Sequence, residues 1–307
     1  VHHTPALTSA TFDEMTGARL IFKCENFQKG GAFKFRGAVN AVYSLSDEEA
    51  QKGVATHSSG NHAQAVALAA RMRGISAIIV MPNSAPQVKV NAVRGYGAEI
   101  RFCESTLKAR EAALEEVVAE TGATFIHPSN DLRVIAGQST AYQELRTDVA
   151  ATELEGLDLV LAPVGGGGLL SGTALAAKLI SIPSGSKLPK VIGCEPAQAD
   201  DAYRSFKSGE LILPEHPDTI ADGLKTALGS NTFPIVREYV DDIVLVEEDE
   251  ILRAMKLIWE RMKIVVEPSA AVPFGALLNG SIDAGDARVG IILSGGNVDL
   301  DALPWYR

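Results

Sequence analysis

The sequence predicts an α/β protein built from two doubly wound domains, each with a mainly parallel sheet. Short apolar strand candidates alternate with helical segments through both halves, which is the pattern of a parallel sheet covered by helices on both faces. The chain has 307 residues, enough for two domains of ordinary size, and 46% of them are hydrophobic, which supplies a core. Turns rich in glycine and serine follow several strands, where doubly wound folds bind ligands.

The alternation can be followed element by element. In the first half, the strand candidates are Gly53–Ser58, Ala77–Met81, Glu99–Cys103 and Ala123–His127. The helix candidates between them, recognised by their apolar spacing, are Asn61–Arg73, Gln87–Tyr96 and Leu107–Thr121. In the second half, the strand candidates are Leu157–Pro163, Lys190–Cys194 and Val289–Leu293, and the helix candidates are Leu169–Ile180 and Glu248–Met262. We interpret the acidic stretch Asp241–Glu250 as a solvated edge and a helix start.

Charge and composition limit the classes of function. The net charge is −10, with 38 acidic and 28 basic residues, so nucleic acid and anionic membranes are not expected as partners. No apolar run is long enough to span a bilayer, and no export signal is visible. The three cysteines are dispersed and odd in number, which is typical of a reducing compartment. We therefore predict a cytoplasmic protein.

Lys34 lies between two phenylalanines, Phe33 and Phe35. Aromatic neighbours desolvate an ammonium group and favour the neutral amine. A neutral amine is what an aldehyde needs to form a Schiff base. The alternative is an ordinary solvated lysine at the start of an amphipathic helix, and this short segment alone does not decide between the two.

A run of four glycines separates a strand candidate from a helix candidate: Gly165, Gly166, Gly167 and Gly168. Four glycines leave no Cβ atom in front of the backbone N–H groups, and the following helix offers unpaired donors and the positive end of its dipole. The loop therefore predicts an anion site, most naturally for a phosphate. It is not a Walker loop, because no Gly-Lys-Ser/Thr follows, and it fits Gly-x-Gly-x-x-Gly poorly. A tight turn without a ligand is the alternative.

The turn His57–His62 follows the first strand candidate. Ser58, Ser59 and Asn61 can cap the next helix, or the N–H groups of this turn can hold a carboxylate. The amide of Asn61 can also donate to a phenolate oxygen. The two histidines are metal ligands by type, but histidines in a turn are more often hydrogen-bonded structure.

Two further segments carry possible ligand groups. Ser294–Asn297 closes the last strand, and the hydroxyl of Ser294 can hydrogen-bond a ring nitrogen or simply belong to a turn. The segment Glu195–Asp201 offers carboxylates and free carbonyls, which are the ligands that Mg²⁺ and Ca²⁺ prefer. A solvated acidic loop is the alternative for this second segment.

A reactive lysine, a phosphate cradle, an amide and a ring-nitrogen partner together fit pyridoxal phosphate. Over essentially its whole length the chain resembles the fold-type II pyridoxal-phosphate enzymes, specifically the serine racemase and serine/threonine dehydratase family. The matching motifs are Phe33–Ala38, Ser58–His62, Gly165–Gly168 and Ser294–Asn297, in the family's order. The resemblance implies a homodimer with the cofactor in a cleft between a large domain, residues 1–46 plus 131–307, and a small mobile domain, residues 47–130.

The resemblance also implies a role for each motif. Lys34 would form the Schiff base with the cofactor, and Phe33 would pack against its ring. Asn61 would bind the ring hydroxyl, Ser294 would face the pyridine nitrogen, and the phosphate would be held by Gly165, Gly166, Gly167 and Gly168. A neutral serine at the nitrogen would leave it largely unprotonated, which favours prompt loss of a β-leaving group. The residues that would line the substrate site are Ser58, Ser59, Asn61, His62 and Arg110.

Two implications of the resemblance are more specific. In serine racemases, the serine at the place of Ser59 faces the substrate from the side opposite the lysine, whereas plain threonine deaminases commonly carry alanine there. Lys34 and Ser59 would then form a pair of catalytic bases for racemisation. The family's metal site matches Glu195, Asp201 and the backbone carbonyl of Ala199, so Mg²⁺, or Ca²⁺ or Mn²⁺, is a predicted second cofactor.

The predicted reaction is β-elimination from a 3-hydroxy amino acid, giving a 2-oxo acid and ammonia, together with serine or aspartate-type racemase activity. L-Serine and 3-hydroxyaspartate are both open as substrates. The second carboxylate of hydroxyaspartate would need an extra cation, for which Arg110, Arg133 and Lys225 are available. The alternatives are a threonine deaminase, β-replacement of the cysteine synthase type, and a cofactor-binding protein without turnover.

Overall fold

The computed structural model describes residues 1–85, 87–152, 156–179 and 188–306. The strands in these residues, numbered in chain order, are β1 Ala6–Thr8, β2 Arg19–Cys24, β3 Val54–His57, β4 Ala77–Pro82, β5 Glu99–Cys103, β6 Thr124–Phe125, β7 Leu159–Pro163, β8 Lys190–Pro196, β9 Asp242–Val246 and β10 Arg288–Leu293. The α-helices are α1 Ala10–Thr16, α2 Lys34–Tyr43, α3 Asp47–Lys52, α4 Asn61–Arg73, α5 Gln87–Gly95, α6 Leu107–Thr121, α7 Leu132–Ala150, α8 Gly168–Leu179, α9 Asp201–Ser208, α10 Thr232–Tyr239, α11 Glu248–Leu257 and α12 Pro268–Leu278.

The chain forms two compact units. The first comprises Lys34–Gly137 together with Val1, and the second comprises His2–Phe33 and Gln138–Arg307. The boundaries that the resemblance implies for the small domain, residues 47–130, stay a prediction. No helix in the described part of the chain is long and apolar enough to cross a membrane.

The first unit contains a four-stranded sheet in the order β5-β4-β3-β6, and all its strand pairs are parallel. The alanine-rich helix α4 packs against α2 and buries its small side chains in the core. The predicted strands and helices of this half are confirmed, with bounds that shift by a few residues. Because the strands are parallel, their carboxyl ends lie at one edge of the sheet.

The second unit contains a six-stranded sheet in the order β1-β2-β10-β7-β8-β9. Strand β1 is antiparallel to β2 at one edge, and the other pairs are parallel. Helix α12 is almost entirely buried against this sheet, including the interior Pro273. Three candidate ligand-binding segments lie at the carboxyl ends of its strands: Gly165–Gly168 after β7, Glu195–Asp201 at the end of β8, and Ser294–Asn297 after β10.

Three segments of the second unit differ in detail from the prediction. The segment Asp241–Glu250, interpreted as a solvated edge and a helix start, contains the edge strand Asp242–Val246 and the start of α11 at Glu248, although Ile243 and Val246 of the strand are buried. The predicted helix Glu248–Met262 is α-helical only to Leu257, after which the chain continues as a π-helix. The predicted helix ending at Ile180 is present to Leu179, and Ile180 lies outside the described residues.

Candidate active site

Lys34 is the first residue of α2 in the first unit. Its side chain is half-buried, and its Nζ donates a hydrogen bond to the carbonyl oxygen of Pro128 at 2.9 Å. The following residue, Phe35, is fully buried in the core of the first unit. The preceding residue, Phe33, packs partly buried against a core cluster of the second unit. Lys34 is thus flanked in the sequence by two packed aromatic residues, and its amine lies near the carboxyl end of β6.

The turn before α4 presents backbone donors. The N–H of Ser58 donates to the carbonyl oxygen of Val80 at 3.1 Å, and the hydroxyl of Ser58 accepts from the N–H of Gly60 at 3.2 Å. No side chain caps α4. Within the described part of the chain, the N–H groups of Ser59 and His62 have no acceptor. These donors, at the start of a 13-residue helix, can bind an anion the size of a carboxylate.

His62 is a buried, neutral imidazole. Its Nε2 lies 2.9 Å from the carbonyl oxygen of Ile126, which can only accept, so the ring proton is on Nε2. Burial, and then the charge of Lys34, lower the pKa of His62 to about 3. Its Nδ1 is buried and has no hydrogen-bond partner among the described residues. The ring therefore presents a lone pair, and only the backbone N–H of His62 can donate to an anion.

Two further histidines lie at the same edge of the sheet. His57 ends β3 and stacks on Phe125, with ring centroids 5.7 Å apart. His127 follows β6, and its ring centroid is 6.4 Å from that of His57. Sequence reasoning missed His127, because nothing in Ala123–His127 marks its last residue as different from an ordinary strand end.

In the second unit, the four predicted glycines connect β7 to α8. Gly168 is the first residue of α8, which has 12 residues. Gly166 is the partly exposed member of the loop, whereas Gly165, Gly167 and Gly168 are buried. Among the described residues, the N–H groups of Gly165, Gly166 and Gly167 have no hydrogen-bond acceptor. The loop therefore combines unpaired backbone donors with a helix start, as the sequence predicted, while the binding of a phosphate by these glycines stays a prediction.

Close packing explains why side chains are excluded from this loop. A Cβ atom on Gly165 would lie 2.9 Å from the Cα atom of Leu224. Gly167 has a φ of +79°, and a Cβ atom there would lie 2.5 Å from Leu228 Cδ2. A cradle of unpaired N–H groups without side chains is what a phosphate requires, so the loop fits this group.

The substitution Gly167→Ala tests this cradle. The added Cβ atom must move Leu228 and must also hold a positive φ, so we expect a loss of about 1–3 kcal/mol in the free energy of unfolding. We expect the affinity for pyridoxal phosphate to fall more than the stability does, as measured by titrating the cofactor-free protein. A variant with unchanged cofactor affinity and lowered stability would contradict the assignment of a phosphate to this loop.

Ser294 lies in a crowded turn after β10. It is 2% exposed, and its carbonyl oxygen accepts a hydrogen bond from the N–H of Phe33 at 2.9 Å. A Cβ atom on Gly295 would lie 2.8 Å from Glu267 Oε1. The turn is therefore held directly against the residue that precedes Lys34 in the chain.

Glu195 and Asp201 are buried carboxylates of the second unit. The oxygens of Glu195 accept from the N–H groups of Ala202 at 2.9 Å and Tyr203 at 2.7 Å, and burial raises its pKa to about 9. Burial also raises the pKa of Asp201 to about 6, and neither of its oxygens has a hydrogen-bond partner in the described residues. The backbone of Ala199, also buried, lies between them in sequence.

The donor set at Glu195 and Asp201 suits a hard cation, which would satisfy the unpaired oxygens of Asp201. No group of three or more His, Cys, Asp or Glu side chains that could hold a metal occurs among the described residues. A cation here would therefore rely on two carboxylates, carbonyl oxygens and water.

The chain has two mainly parallel sheets, with a lysine beside the carboxyl end of one of them and glycine and serine turns with unpaired N–H groups. These features define an α/β enzyme of the fold-type II class. A family model described as pyridoxal-phosphate dependent enzyme matches residues 1–295. The chain belongs to this family.

The most informative relatives differ in their activities. The chain is 50% identical over 305 residues to the beta-hydroxyaspartate dehydratase of Paracoccus denitrificans (strain Pd 1222), covering 99% of this chain and 94% of that one. It is 51% identical over 307 residues to the serine racemase of Dictyostelium discoideum, covering 99% and 92%. The structure of the processed form of threonine deaminase isoform 2 from Solanum lycopersicum superposes with a TM-score of 0.90 at 34% identity, covering 98% and 86%.

Proposed function

We propose that the protein is a pyridoxal-phosphate dependent dehydratase that releases ammonia from a 3-hydroxy amino acid and also racemises amino acids. The observation that carries the proposal is that two turns, Ser59–His62 and Gly165–Gly167, contain backbone N–H groups without acceptors among the described residues. The same chain contains Lys34, whose amine donates to a backbone carbonyl oxygen. One turn fits a substrate carboxylate and the other fits the cofactor phosphate. Relatives of about 50% identity are named as a dehydratase and a racemase, which supports both activities.

Within this proposal, one set of residues holds the cofactor. Lys34 would hold the cofactor covalently, and Phe33 would pack beside its ring. Asn61 would donate to the ring hydroxyl, and Ser294 would pair with the ring nitrogen. The phosphate would be held by Gly165, Gly166, Gly167 and Gly168. When bound, pyridoxal phosphate supplies an electron sink for charge at the substrate α-carbon.

The remaining tasks concern the substrate. The N–H groups of Ser59 and His62, with Ser58 and Asn61 beside them, bind the α-carboxylate. Once the amino group of the substrate has displaced Lys34 from the cofactor, the freed Lys34 amine would remove the α-proton. The hydrogen bond from Lys34 Nζ to the carbonyl oxygen of Pro128 would hold the free amine in place. Loss of the β-hydroxyl gives an enamine, which water converts to a 2-oxo acid and ammonia.

Racemisation requires a second base on the other side of the α-carbon. Ser59 is half-buried, and its hydroxyl has no partner among the described residues, so it is available for proton transfer. We assign Ser59 this role opposite Lys34.

A divalent cation at Glu195, Asp201 and the Ala199 carbonyl belongs to the same proposal, with Mg²⁺, Ca²⁺ or Mn²⁺ as the ion. The oxygens of Asp201 are buried and have no hydrogen-bond partner among the described residues, so a cation that pairs with them should stabilise the fold. We expect millimolar Mg²⁺ or Ca²⁺ to raise the melting temperature and EDTA to lower it, by several degrees. In Asp201→Asn the response should be lost, and an equal response in both proteins would contradict this site.

Three parts of the proposal rest on the sequence alone. A homodimer, a cytoplasmic location and the absence of nucleic-acid or membrane partners stay predictions. All three cysteines are free thiols, in keeping with a reducing compartment, and burial raises the pKa of Cys24 to about 12.

The proposed reaction is tested by a panel of substrates. L-Serine, L-threonine and the diastereomers of 3-hydroxyaspartate are each incubated with the holoenzyme, and ammonia and 2-oxo acid are measured together. We expect both products in equal amounts from serine or hydroxyaspartate, with threonine slower. Preference for threonine would favour a deaminase instead, and consumption of O-acetylserine with a thiol but without ammonia would indicate β-replacement.

A further inference from the structure

The turn Ser294–Asn297 is hydrogen-bonded on both edges of its backbone. One edge is joined to the segment that leads into Lys34, since the N–H of Phe33 donates to the carbonyl oxygen of Ser294 at 2.9 Å. Successive carbonyl groups of an extended chain point to opposite edges, so the next carbonyl, that of Gly295, points away from Phe33. The position of Ser294 therefore also depends on what holds the carbonyl of Gly295.

That carbonyl is held by a single peptide group. The oxygen of Gly295 accepts from the N–H of Glu267 at 3.0 Å. This N–H shares its peptide group with the carbonyl of Val266, whose oxygen accepts from the indole Nε1 of Trp259 at 2.9 Å. A peptide group is planar, so a hydrogen bond that fixes its oxygen also fixes the direction of its N–H. Donation to the oxygen also polarises the group and strengthens the N–H as a donor.

No helix or strand holds this peptide group in place. Residues 263–267 connect the π-helix Ile258–Met262 to α12 and belong to no regular element. Val266 is fully buried and Glu267 is only 4% exposed, so water does not replace a hydrogen bond that is lost here. The connection therefore depends on side-chain donors such as Trp259 for its direction.

The indole of Trp259 is itself held by the C-terminal segment. Its ring meets that of Trp305 edge-on, with centroids 5.1 Å apart and an interplanar angle of 90°. The Nζ of Lys256 lies 5.6 Å from the centroid of the Trp305 ring, which is a cation–π distance. These contacts limit the directions that the Trp259 ring can take. The π-helix that carries Trp259 is a rare element that is frequent at functional sites.

We propose that Trp259 is a positioning residue for the cofactor. Through the peptide group of Val266 and Glu267 and the carbonyl of Gly295, it keeps Ser294 where the ring nitrogen of pyridoxal phosphate binds. This inference rests on the proposed function, in which Ser294 pairs with that nitrogen. Groups that bind a ligand must be held within about 0.5 Å of the productive geometry. Without the indole N–H, a buried carbonyl loses its donor and the peptide group is free to turn.

The experiment is a double-mutant cycle on the dissociation constant of pyridoxal phosphate, measured by diluting the holoenzyme and following release of the cofactor. Trp259→Phe removes the N–H donor, keeps an aromatic ring beside Trp305, and should raise the dissociation constant about fivefold to tenfold. Ser294→Ala should also raise it. In the Ser294→Ala background, Trp259→Phe should change the constant by less than about twofold, because the two residues act in series.

Thr16→Val is the matched control. The hydroxyl of Thr16 donates to the carbonyl oxygen of Phe12 at 2.8 Å, so this variant also loses a hydrogen bond from a side chain to the backbone of the second unit. It should lower the melting temperature by a few degrees and leave the dissociation constant within about twofold of the wild type.

A second replacement of Trp259 covers the case in which Trp259→Phe does not fold. Benzothienylalanine has the shape of tryptophan but carries sulfur in place of the indole N–H, so it removes the donor alone. We expect it to weaken cofactor binding about as much as Trp259→Phe, again only where Ser294 is present.

Two results would overturn the inference and leave the proposed function standing. One is an equal effect of either Trp259 replacement in the wild-type and Ser294→Ala backgrounds, because a merely structural loss is independent of Ser294. The other is an unchanged dissociation constant when Trp259 is replaced. An unchanged dissociation constant in Ser294→Ala would instead contradict the pairing of Ser294 with the ring nitrogen, and with it both that part of the proposed function and this inference.

Discussion

Replacing Lys34 by alanine is expected to abolish ammonia release from hydroxy amino acids, with a fall in kcat/KM of at least about a thousandfold. The proposal gives this one amine two tasks, covalent attachment of the cofactor and removal of the α-proton, and alanine can do neither. The structure supports a local effect, because the lysine side chain is only half-buried and its Nζ donates to the backbone carbonyl oxygen of Pro128.

Lys34→Arg is the matched variant. It keeps a cation near Pro128 but cannot form a Schiff base, so we expect the same loss of activity and of visible cofactor absorbance with little change in melting temperature. Ammonia release within tenfold of the wild type in either variant would contradict the role of Lys34. Loss of activity accompanied by unfolding, seen by circular dichroism, would not support it.

Replacing Ser59 by alanine is expected to separate the two proposed activities. Racemisation needs a base on each side of the α-carbon, whereas elimination needs only the one that removes the α-proton. We therefore expect the ratio of racemisation to elimination to fall about a hundredfold or more, since a positioned acid–base group contributes about 10²–10⁴-fold. The ratio is read from D-serine and ammonia formed in the same reaction.

The control for this variant is Ser58→Ala. The hydroxyl of Ser58 accepts from the N–H of Gly60 at 3.2 Å and so shapes the turn. Its loss should weaken both activities together and leave their ratio within a few-fold. If Ser59→Ala and Ser58→Ala change the ratio equally, Ser59 acts through the turn and not as a base.

Much of the fold follows from the apolar pattern. Strands of parallel sheets are buried on both faces, so runs such as Ala77–Met81 and Leu157–Pro163 are recognisable without neighbours. Segments with mixed patterns were harder. The strand Arg19–Cys24 contains the buried Lys23, which interrupts its apolar run. The long helix Leu132–Ala150 is capped by Asp131, whose carboxylate accepts from the N–H of Arg133 at 2.8 Å, but its apolar and polar residues are mixed. Neither was predicted.

The reactive lysine cannot be chosen by residue type and burial alone, because the contacts of each lysine also matter. By burial alone Lys23 would be the better choice, since it is fully buried. Its Nζ, however, lies 3.0 Å from a carboxylate oxygen of Glu144 and 2.9 Å from one of Asp148, so Lys23 belongs to a buried ion-pair network. These partners are more than a hundred residues away in the chain, so only the fold could reveal them.

The candidate site could be predicted in part from the sequence, because the residues of its turns act through their own backbone groups and short side chains. Gly165–Gly168 stand out since backbone N–H groups must be uncovered there. Which ring nitrogen of a histidine carries the proton cannot be predicted in this way. The lone pair of His62 and the donor of His127 depend on hydrogen bonds with the backbone of residues 126–130, which only the folded chain supplies.

Lys34 is the residue assigned to carry pyridoxal phosphate, and borohydride reduction of the holoenzyme tests this assignment most directly. Reduction converts a Schiff base into a stable amine, and peptide mass mapping then locates the added mass. We expect a single modified peptide, the one that contains Lys34, and no modification in Lys34→Arg. Cofactor mass on another lysine, Lys23 included, or on none, would contradict it.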